Sequence, residues 1–527
     1  MYVVTPSEAK AIDQRAMEEF SIPGIVLMEN AALKTVDIIR EKYIKDFCSG
    51  KVVVLVGGGN NGGDGMAIAR HLMLIGIDVG IFIFSPEDKI TGDAKINLDI
   101  LKKLQAPIKW VEDTNDLNML DKELKEAFLV IDSLFGTGLY RKIEGILYEA
   151  IRKVNDHNVP VVAIDIPSGI HGENGHVMGI AIKADDTVTF GYPKRGHILF
   201  PGREYTGNLH VVPISLPSNS AEIGGVSGFT LGDIEVAMAL KERPADGHKG
   251  TFGHVAVIAG STGMTGAACL TSMAALRAGA GLVTLGVPAS LNPIFENKLT
   301  EVMTLPLEDE STGHFISRSI DEIKKLITGK DVLAIGPGWG KNCDGLEVLR
   351  NILAEFSISI VIDADALNHI SQDVELLSKH KGPVIITPHP GEMARLTKKS
   401  VKEVVEFPVD TAQKLARDYD IIVLLKGAAS VVAHPDGRIY FNRSGNSGMG
   451  TGGSGDILTG IIASFIAQGY SPYDAAVYGC YVHGRAGDYA KDRLGETGMI
   501  AGDILDALPL VLKDLYDLKT KVVCSCR

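Results

Sequence analysis

The stretch KVVVLVGGGNNGGDGMAIARHLMLIG, residues 51–76, decides how the chain reads. Val52 to Val56 form an unbroken aliphatic run, the pattern of a strand buried on both faces. The turn GGGNNGGDG (57–65) follows, and then the helical MAIARHLMLIG (66–76). Glycines in such a turn permit positive φ and close backbone approach, and the helix start supplies N–H groups and positive dipole for phosphate. Gly57, Gly59 and Gly62 satisfy G-x-G-x-x-G, yet the dinucleotide turn fits badly. The next strand, 79–85, ends in Ser85-Pro86 instead of a ribose-binding acid, and Asp78 precedes it. Asn60, Asn61 and Asp64 add side-chain oxygens that a plain pyrophosphate turn does not require.

Working outward, the same alternation recurs. Upstream, Thr5-Pro6-Ser7-Glu8 is a capping box opening a helix to about Phe20, with a second helix from about Met28 to Tyr43. Downstream lie FLVIDSLFG (128–136), VPVVAIDIPSG (159–169), DTVTFG (186–191) and LHVVPISLP (209–217). PSNSAEIGGVSG (217–228) is polar, glycine-rich and aperiodic, and reads as a domain boundary. A second series follows at 253–260, 281–287, 331–338, 358–368, 382–392, 421–427 and 430–437, ending in the helix DILTGIIASFIAQG (456–469). The expectation is two consecutive three-layer α/β domains, residues 1–217 and 228–515.

The 527 residues carry a net charge of −13, which argues against broad nucleic-acid or anionic-membrane binding. No apolar run of about 18 residues and no basic-then-apolar leader is present, so a cytoplasmic protein is expected. Cys48, Cys269, Cys343, Cys480, Cys524 and Cys526 are too scattered for a disulfide framework. The terminal C-x-C can bind metal or oxidise; a disordered tail is the expectation.

Asp132 and Asp165 end strands in the first series, where carboxyl ends line a ligand crevice; with Asn61 and Ser168 they offer oxygens to a hard cation. The alternative is that both acids cap the following turns. In the second series GSTGMTGA (260–267) and GPGWG (336–340) are glycine-rich strand ends suited to phosphate. In TPHPGE (387–392) His389 is held between prolines beside Glu392, as a ligand contact or a structural turn residue. GMGTGGSGDILTG (448–460) makes an anion cradle with Asp456 at a helix start, placed to take a proton from a hydroxyl attacking phosphorus. An N-cap is the alternative role for Asp456. KGAAS (426–430) suits a nucleotide contact, and no G-x-x-x-x-G-K-[ST] is in place.

Taken as an ordered set, VGGGNNGGDG, DSLFGTGL, IDIPSG, HKGTFGHV, GPGWG, TPHPGE and GSGDILTG resemble the bifunctional NAD(P)H-hydrate repair enzymes, from about residue 5 to 515. The resemblance implies a Rossmann-like NAD(P)H-hydrate epimerase domain followed by a ribokinase-like, ADP-dependent NAD(P)H-hydrate dehydratase domain. It implies interconversion of R- and S-NADHX or NADPHX, and dehydration of the S form to NAD(P)H with ADP giving AMP and phosphate. Carried over by motif, Asn60, Asn61, Gly62, Gly63, Asp64, the segment Gly136, Thr137, Gly138, Leu139, Tyr140, Arg141, Lys142, and Asp165 contact the hydrate in the epimerase. Potassium sits on Asn61, Asp132 and Ser168, and Asp165 handles the proton. In the dehydratase Ala267, Gly338, His389 and Asp456 contact the hydrate, while Lys426, Gly427, Ala428, Ala429, Ser430 and Gly455 hold AMP or ADP. Asp456 is the expected base, magnesium accompanies the nucleotide, and a homo-oligomer is expected. The chain reads GSGD where members commonly carry GTGD, and KVVCSCR (521–527) lies outside the resemblance. The rival readings are a small-molecule kinase, which would leave phosphate on its product, and a silent nucleotide binder, which would bind ADP without turnover.

Overall fold

The computed structural model describes residues 1–44, 50–341 and 344–525, so Cys48, Cys343 and Cys526 lie outside the described residues. The chain divides into two compact units, Met1–Gly228 and Phe229–Arg527. In the first, seven parallel strands run β1 (Lys51–Val56), β2 (Asp78–Ile83), β3 (Ile108–Trp110), β4 (Ala127–Ser133), β5 (Val161–Ile164), β6 (Asp186–Phe190) and β7 (Asn208–Val212). Their spatial order is β3-β2-β1-β4-β5-β6-β7. The aliphatic run of β1 serves two layers: Val52, Val54 and Val56 enter one core, Val53 and Leu55 the other. The order reverses between β1 and β4, so their carboxyl ends flank a crevice.

The second unit is built on β8 (Gly228–Phe229), β9 (His254–Ile258), β10 (Leu282–Pro288), β11 (Met303–Leu307), β12 (Val332–Ile335), β13 (Ser359–Ile362), β14 (Val384–Ile386), β15 (Ile422–Leu425), β16 (Val431–Ala433) and β17 (Ile439–Phe441). The order is β11-β10-β9-β12-β13-β14-β15-β16-β17-β8, parallel from β11 to β15 and antiparallel at β15-β16-β17. Here Val255 and Val257 face one core, and Ala256 and Ile258 the other.

Local signals hold where they are strong. Thr5 caps the helix Pro6–Glu18 with Glu8 completing the box, and the second helix spans Gly24–Lys42. The short strands β3, β11 and β17 carry no sequence periodicity; β3 and β11 are sheet edges, and β11 contains Pro306, as an edge tolerates. Segment 217–228 packs in the first unit: it holds the helix Ser220–Ile223, and Ala221 and Val226 join Val4 and Ile12. The expected disordered tail is corrected. The last helix runs Ala501–Ser525 and carries Cys524, because Val511, Leu515 and Leu518 pack on the core and Lys519 Nζ donates to the Leu240 carbonyl at 2.7 Å. Among the described residues no helix is long and apolar enough to cross a membrane.

The turn after β1 tolerates no side chain. A Cβ on Gly62 would lie 2.0 Å from the Gly57 carbonyl oxygen, and one on Gly57 would lie 1.9 Å from that of Leu134. Gly62→Ala therefore destabilises the first unit by about 2–4 kcal/mol, read as an earlier first transition in urea unfolding of the whole chain. An unchanged midpoint would contradict this packing.

Candidate functional site

In the first unit, polar side chains collect where β1, β4, β5 and β6 end. Gly59 caps the helix Asn60–Leu74. One residue in, Asn61 is buried, and neither its amide nitrogen nor its oxygen has a hydrogen-bond partner. Gly136 allows the loop after β4 to approach, since a Cβ there would lie 3.3 Å from that of Asn61. Asp132 is fully buried: its carboxylate accepts from the Ser168 hydroxyl at 2.6 Å and the Ser168 N–H at 2.8 Å. Burial pushes its pKa up to about 6 against those hydrogen bonds. The Ser168 oxygen in turn accepts from the Phe135 N–H at 2.9 Å, tying the β4 and β5 ends together.

Asp165 follows β5 with φ +65°. Its carboxylate accepts from Lys194 Nζ at 2.5 Å and Thr189 Oγ1 at 3.0 Å, and its carbonyl contacts His197 Nε2 at 2.9 Å. Burial alone would raise its pKa; the Lys194 charge and hydrogen bond, with His197 and Thr189, overcome that and hold it low. Asp132 also caps its own turn, its Oδ1 accepting from the Leu134 N–H at 3.3 Å, while the Asp165 side chain is tied to Lys194 and Thr189. Asp64 is buried in the first turns of its helix, and burial, Asp165 and Asp13 together push its pKa well up. Asp13, from the helix Pro6–Glu18, is pushed to about 6 by burial and Asp165, with Lys194 opposing. Lys194, Thr189 and Asp13 belong to no motif; the only sequence signal was a lysine just past a buried strand.

The remaining residues expected here divide. Asn60 is exposed beside this cluster, whereas Gly63 lets the helix meet its neighbour, a Cβ there lying 2.7 Å from Met28 Cε. Gly136 and Thr137 are half-buried and Gly138 is exposed. Leu139 turns into the apolar core, Tyr140 is 67% exposed with its ring edge-on to His171 at 5.6 Å, and Arg141 and Lys142 are exposed.

In the second unit the site forms at the ends of β9, β12, β13, β14 and β15. Ala267 opens the helix Thr265–Arg277, and Gly338 (φ +60°) abuts it, a Cβ there lying 2.9 Å from that of Ala267. His389 caps the helix Pro390–Thr397: its Nδ1 accepts from the Gly391 N–H at 3.0 Å, and Glu392 accepts from the His389 N–H at 2.8 Å. His389 thus has a structural cap role, and its ring remains half exposed. Its pKa is lowered by burial and by the charges of Lys426 and Arg395. Burial raises Glu392 to about 7.

Asp456 is the third residue of the helix Ser454–Ala467, whose cap is Gly453 (φ +97°). No side-chain cap bond is made there, so Asp456 is not the N-cap. Burial, then Asp363, raises it to about 7, with Lys426 opposing and Asp365 adding. Lys426 follows β15 and its Nζ donates to Asp363 Oδ1 at 2.7 Å. Gly455 makes room for it, since a Cβ there would lie 3.1 Å from that Nζ. Beyond it Gly427 and Ala428 are exposed, Ala429 and Ser430 half-buried, and the Gly427 N–H donates to Ser430 Oγ at 3.3 Å. Ser454 Oγ meets His483 Nε2 at 3.2 Å, and burial drives that imidazole down to about 4. Asp363, Thr459 and His483 were not legible as site residues, because each acts through a partner distant in sequence.

Two family descriptions match the chain: YjeF-related protein N-terminus over residues 24–196, and NAD(P)H-hydrate dehydratase over 255–510. The bifunctional NAD(P)H-hydrate repair enzyme Nnr of Moorella thermoacetica is 40% identical over 525 residues, covering 100% of this chain and 99% of the relative. This chain belongs to the bifunctional NAD(P)H-hydrate repair enzyme family. The repair enzyme of Thermofilum pendens is 37% identical, over 98% of this chain and 97% of its own. A solved ADP/ATP-dependent NAD(P)H-hydrate dehydratase from Bacillus subtilis, co-crystallised with ATP/Mg2+, is 29% identical, with a TM-score of 0.48 over 54% of this chain and 97% of that one. Within the repair-enzyme family's matched regions fall Asn61 to Lys194 in the first unit and Ala267 to His483 in the second; Asp13 lies before them.

Because Asp165 is held low by Lys194, the pair stabilises the fold above the carboxyl's unfolded pKa, and that stability is lost as pH falls through the folded value. Lys194→Met strands a buried carboxylate and costs about 3–5 kcal/mol near neutrality. Urea unfolding should show the deficit shrinking between pH about 8 and about 5, as the orphaned Asp165 becomes free to protonate. A deficit independent of pH would contradict the pairing.

Proposed function

We propose that the first unit interconverts R- and S-NAD(P)HX and that the second converts S-NAD(P)HX to NAD(P)H, consuming ADP and releasing AMP and phosphate. The observation that carries the reading is Asp456: a carboxyl raised to about 7, uncommitted to its helix cap, one residue from the glycine of a backbone anion cradle and beside a half-buried lysine. In the dehydratase, Asp456 takes the proton of the C6 hydroxyl as that oxygen attacks the β-phosphorus of ADP and AMP departs. The ring nitrogen then expels phosphate as the C6–O bond breaks, and loss of a C5 proton restores the dihydropyridine. The N–H groups of the turn 450–455 face the transferring charge, as helix N-termini do. Ala267, Gly338 and His389 border the hydrate, and Lys426 to Ser430 with Gly455 border the nucleotide. Magnesium bound with the nucleotide would neutralise phosphate charge.

In the epimerase, the ring nitrogen expels the C6 hydroxyl and water returns on the other face. Asp165, its pKa lowered by Lys194, takes a proton from the entering water, while Asp64, its pKa raised by burial, gives one to the departing hydroxyl. Asn61, Asp132 and Ser168 fit a potassium ion. Their donors are an unpartnered amide, a buried carboxylate without a neighbouring cation among the causes of its shift, and a hydroxyl; among the described residues no group of three or more His, Cys, Asp or Glu could hold a metal. Such an ion would supply the positive charge that Asp132 lacks.

The test is mixed-epimer NADHX with ADP, Mg²⁺ and K⁺, followed by recovery of the dihydronicotinamide absorbance. Wild-type protein should recover it all, faster than spontaneous epimerisation allows. Asp456→Asn should lose dehydration by about 10²–10⁴-fold yet still equilibrate the epimers, and Asp165→Asn should do the reverse. Dehydration should decline as pH falls below about 7, where Asp456 protonates and ceases to be a base. Exchange of K⁺ for a large organic cation should slow epimerisation and spare dehydration from pure S-NADHX. Phosphate retained on the product would overturn the reading in favour of a kinase.

A further inference from the structure

Asp363 follows β13 and is 1% exposed. Its Oδ1 accepts from Lys426 Nζ at 2.7 Å and the Ala364 N–H at 2.8 Å, and its Oδ2 from Thr459 Oγ1 at 2.8 Å. Lys426 follows β15, and Thr459 stands three residues beyond Asp456, one turn along the same helix face. One carboxylate therefore joins two strand ends to the helix that carries Asp456. Its own backbone is held firmly: the Asp363 N–H donates to the Ile335 carbonyl at 3.1 Å, and a Cβ on Gly336 would lie 2.0 Å from the Asp363 carbonyl oxygen. The next residue, Ala364, adopts φ +51°, a conformation uncommon without glycine.

We propose that Asp363 is the positioning residue of the dehydratase base: it ties Lys426 down as a fixed cation and, through Thr459, sets the helix turn on which Asp456 rides. This rests on the dehydratase reading above. The Lys426 side chain is only 20% exposed, and an ammonium so shielded from water takes a counter-ion from the carboxylates around it. Without Asp363, the carboxylates left to Lys426 are Asp456 and Glu392, both of which already act on its charge. Asp456 paired directly with Lys426 would be a weak base, because a neighbouring cation stabilises the carboxylate. Asp363 prevents that pairing by occupying the ammonium, and its negative charge keeps the Asp456 proton affinity high. The charged and titratable groups about Asp456 are Asp363 after β13, Asp365 in the helix Asp365–Ile370, Lys426 after β15, and Glu392 across Lys426. His483, on the helix Pro472–Leu494, reaches the same turn through Ser454 and is neutral above about 4.

The experiment is the pH profile of kcat for the whole protein with S-NADHX, Mg²⁺ and saturating ADP. Asp363→Asn should move the acid limb to lower pH by about one unit or more, because a negative charge is removed and Lys426 is freed toward Asp456. Its optimal kcat should fall about tenfold or more, with KM for ADP within about threefold of wild type. Asp363→Glu, restoring the charge, should bring the limb back toward wild type. Thr459→Val keeps the charge and cuts the tether, so kcat should fall about three- to tenfold with the limb in place. An Asp363→Asn limb coincident with wild type, or a loss confined to KM, overturns the proposal. Should Asp363→Asn fail to fold, Thr459→Val decides, and a kcat within about twofold of wild type overturns it. Wild-type protein that converts no S-NADHX with ADP overturns the dehydratase reading itself, a result distinct from an unmoved limb in an active enzyme.

Discussion

Burying a parallel strand on both faces leaves polar chemistry nowhere to stand except at the strand's ends. β1 sends Val52, Val54 and Val56 one way and Val53 and Leu55 the other, and β9 divides its residues in the same manner. Asp132, Asp165, Asp363, His389 and Lys426 accordingly all lie at or within three residues past the carboxyl ends of strands. The backbone N–H groups of the glycine-rich helix starts then attract anions without any side chain being spent on the task.

Crowding carboxylates into buried strand ends creates an electrostatic problem that both units meet with the same chemical set. In the first, Asp165 accepts from Lys194 and Thr189; in the second, Asp363 accepts from Lys426 and Thr459. Each set gives one carboxylate a lysine and a threonine hydroxyl as partners. The acids left without a cation of their own behave differently, with Asp132 raised to about 6 and Asp456 and Glu392 to about 7.

Much of this was legible before any coordinates. The aliphatic runs located most strands, the capping box at Thr5 and Glu8 located a helix start, and the glycine-rich turns marked the helix starts of both candidate sites. Legibility ended where a feature depends on partners remote in sequence. Lys194 and Asp363 look unremarked in the chain until the sheet order places them beside Asp165 and Lys426. Leu139 sits in a motif as if to face a ligand, yet its side chain fills the core. The polar segment 217–228 looks like a linker but is anchored by Ala221 and Val226, and the tail beyond residue 515 is helical because the helix before it is packed.

The sequence by itself determined the α/β architecture, the places where backbone must approach backbone, and the residue types that chemistry would need, since each is written in local periodicity or in glycine. Only the tertiary structure decided which carboxylates are charged. Proton affinity depends on burial and on the distance to the nearest cation, and for Asp165 and Asp456 those are set by strand order and helix packing, not by neighbours along the chain.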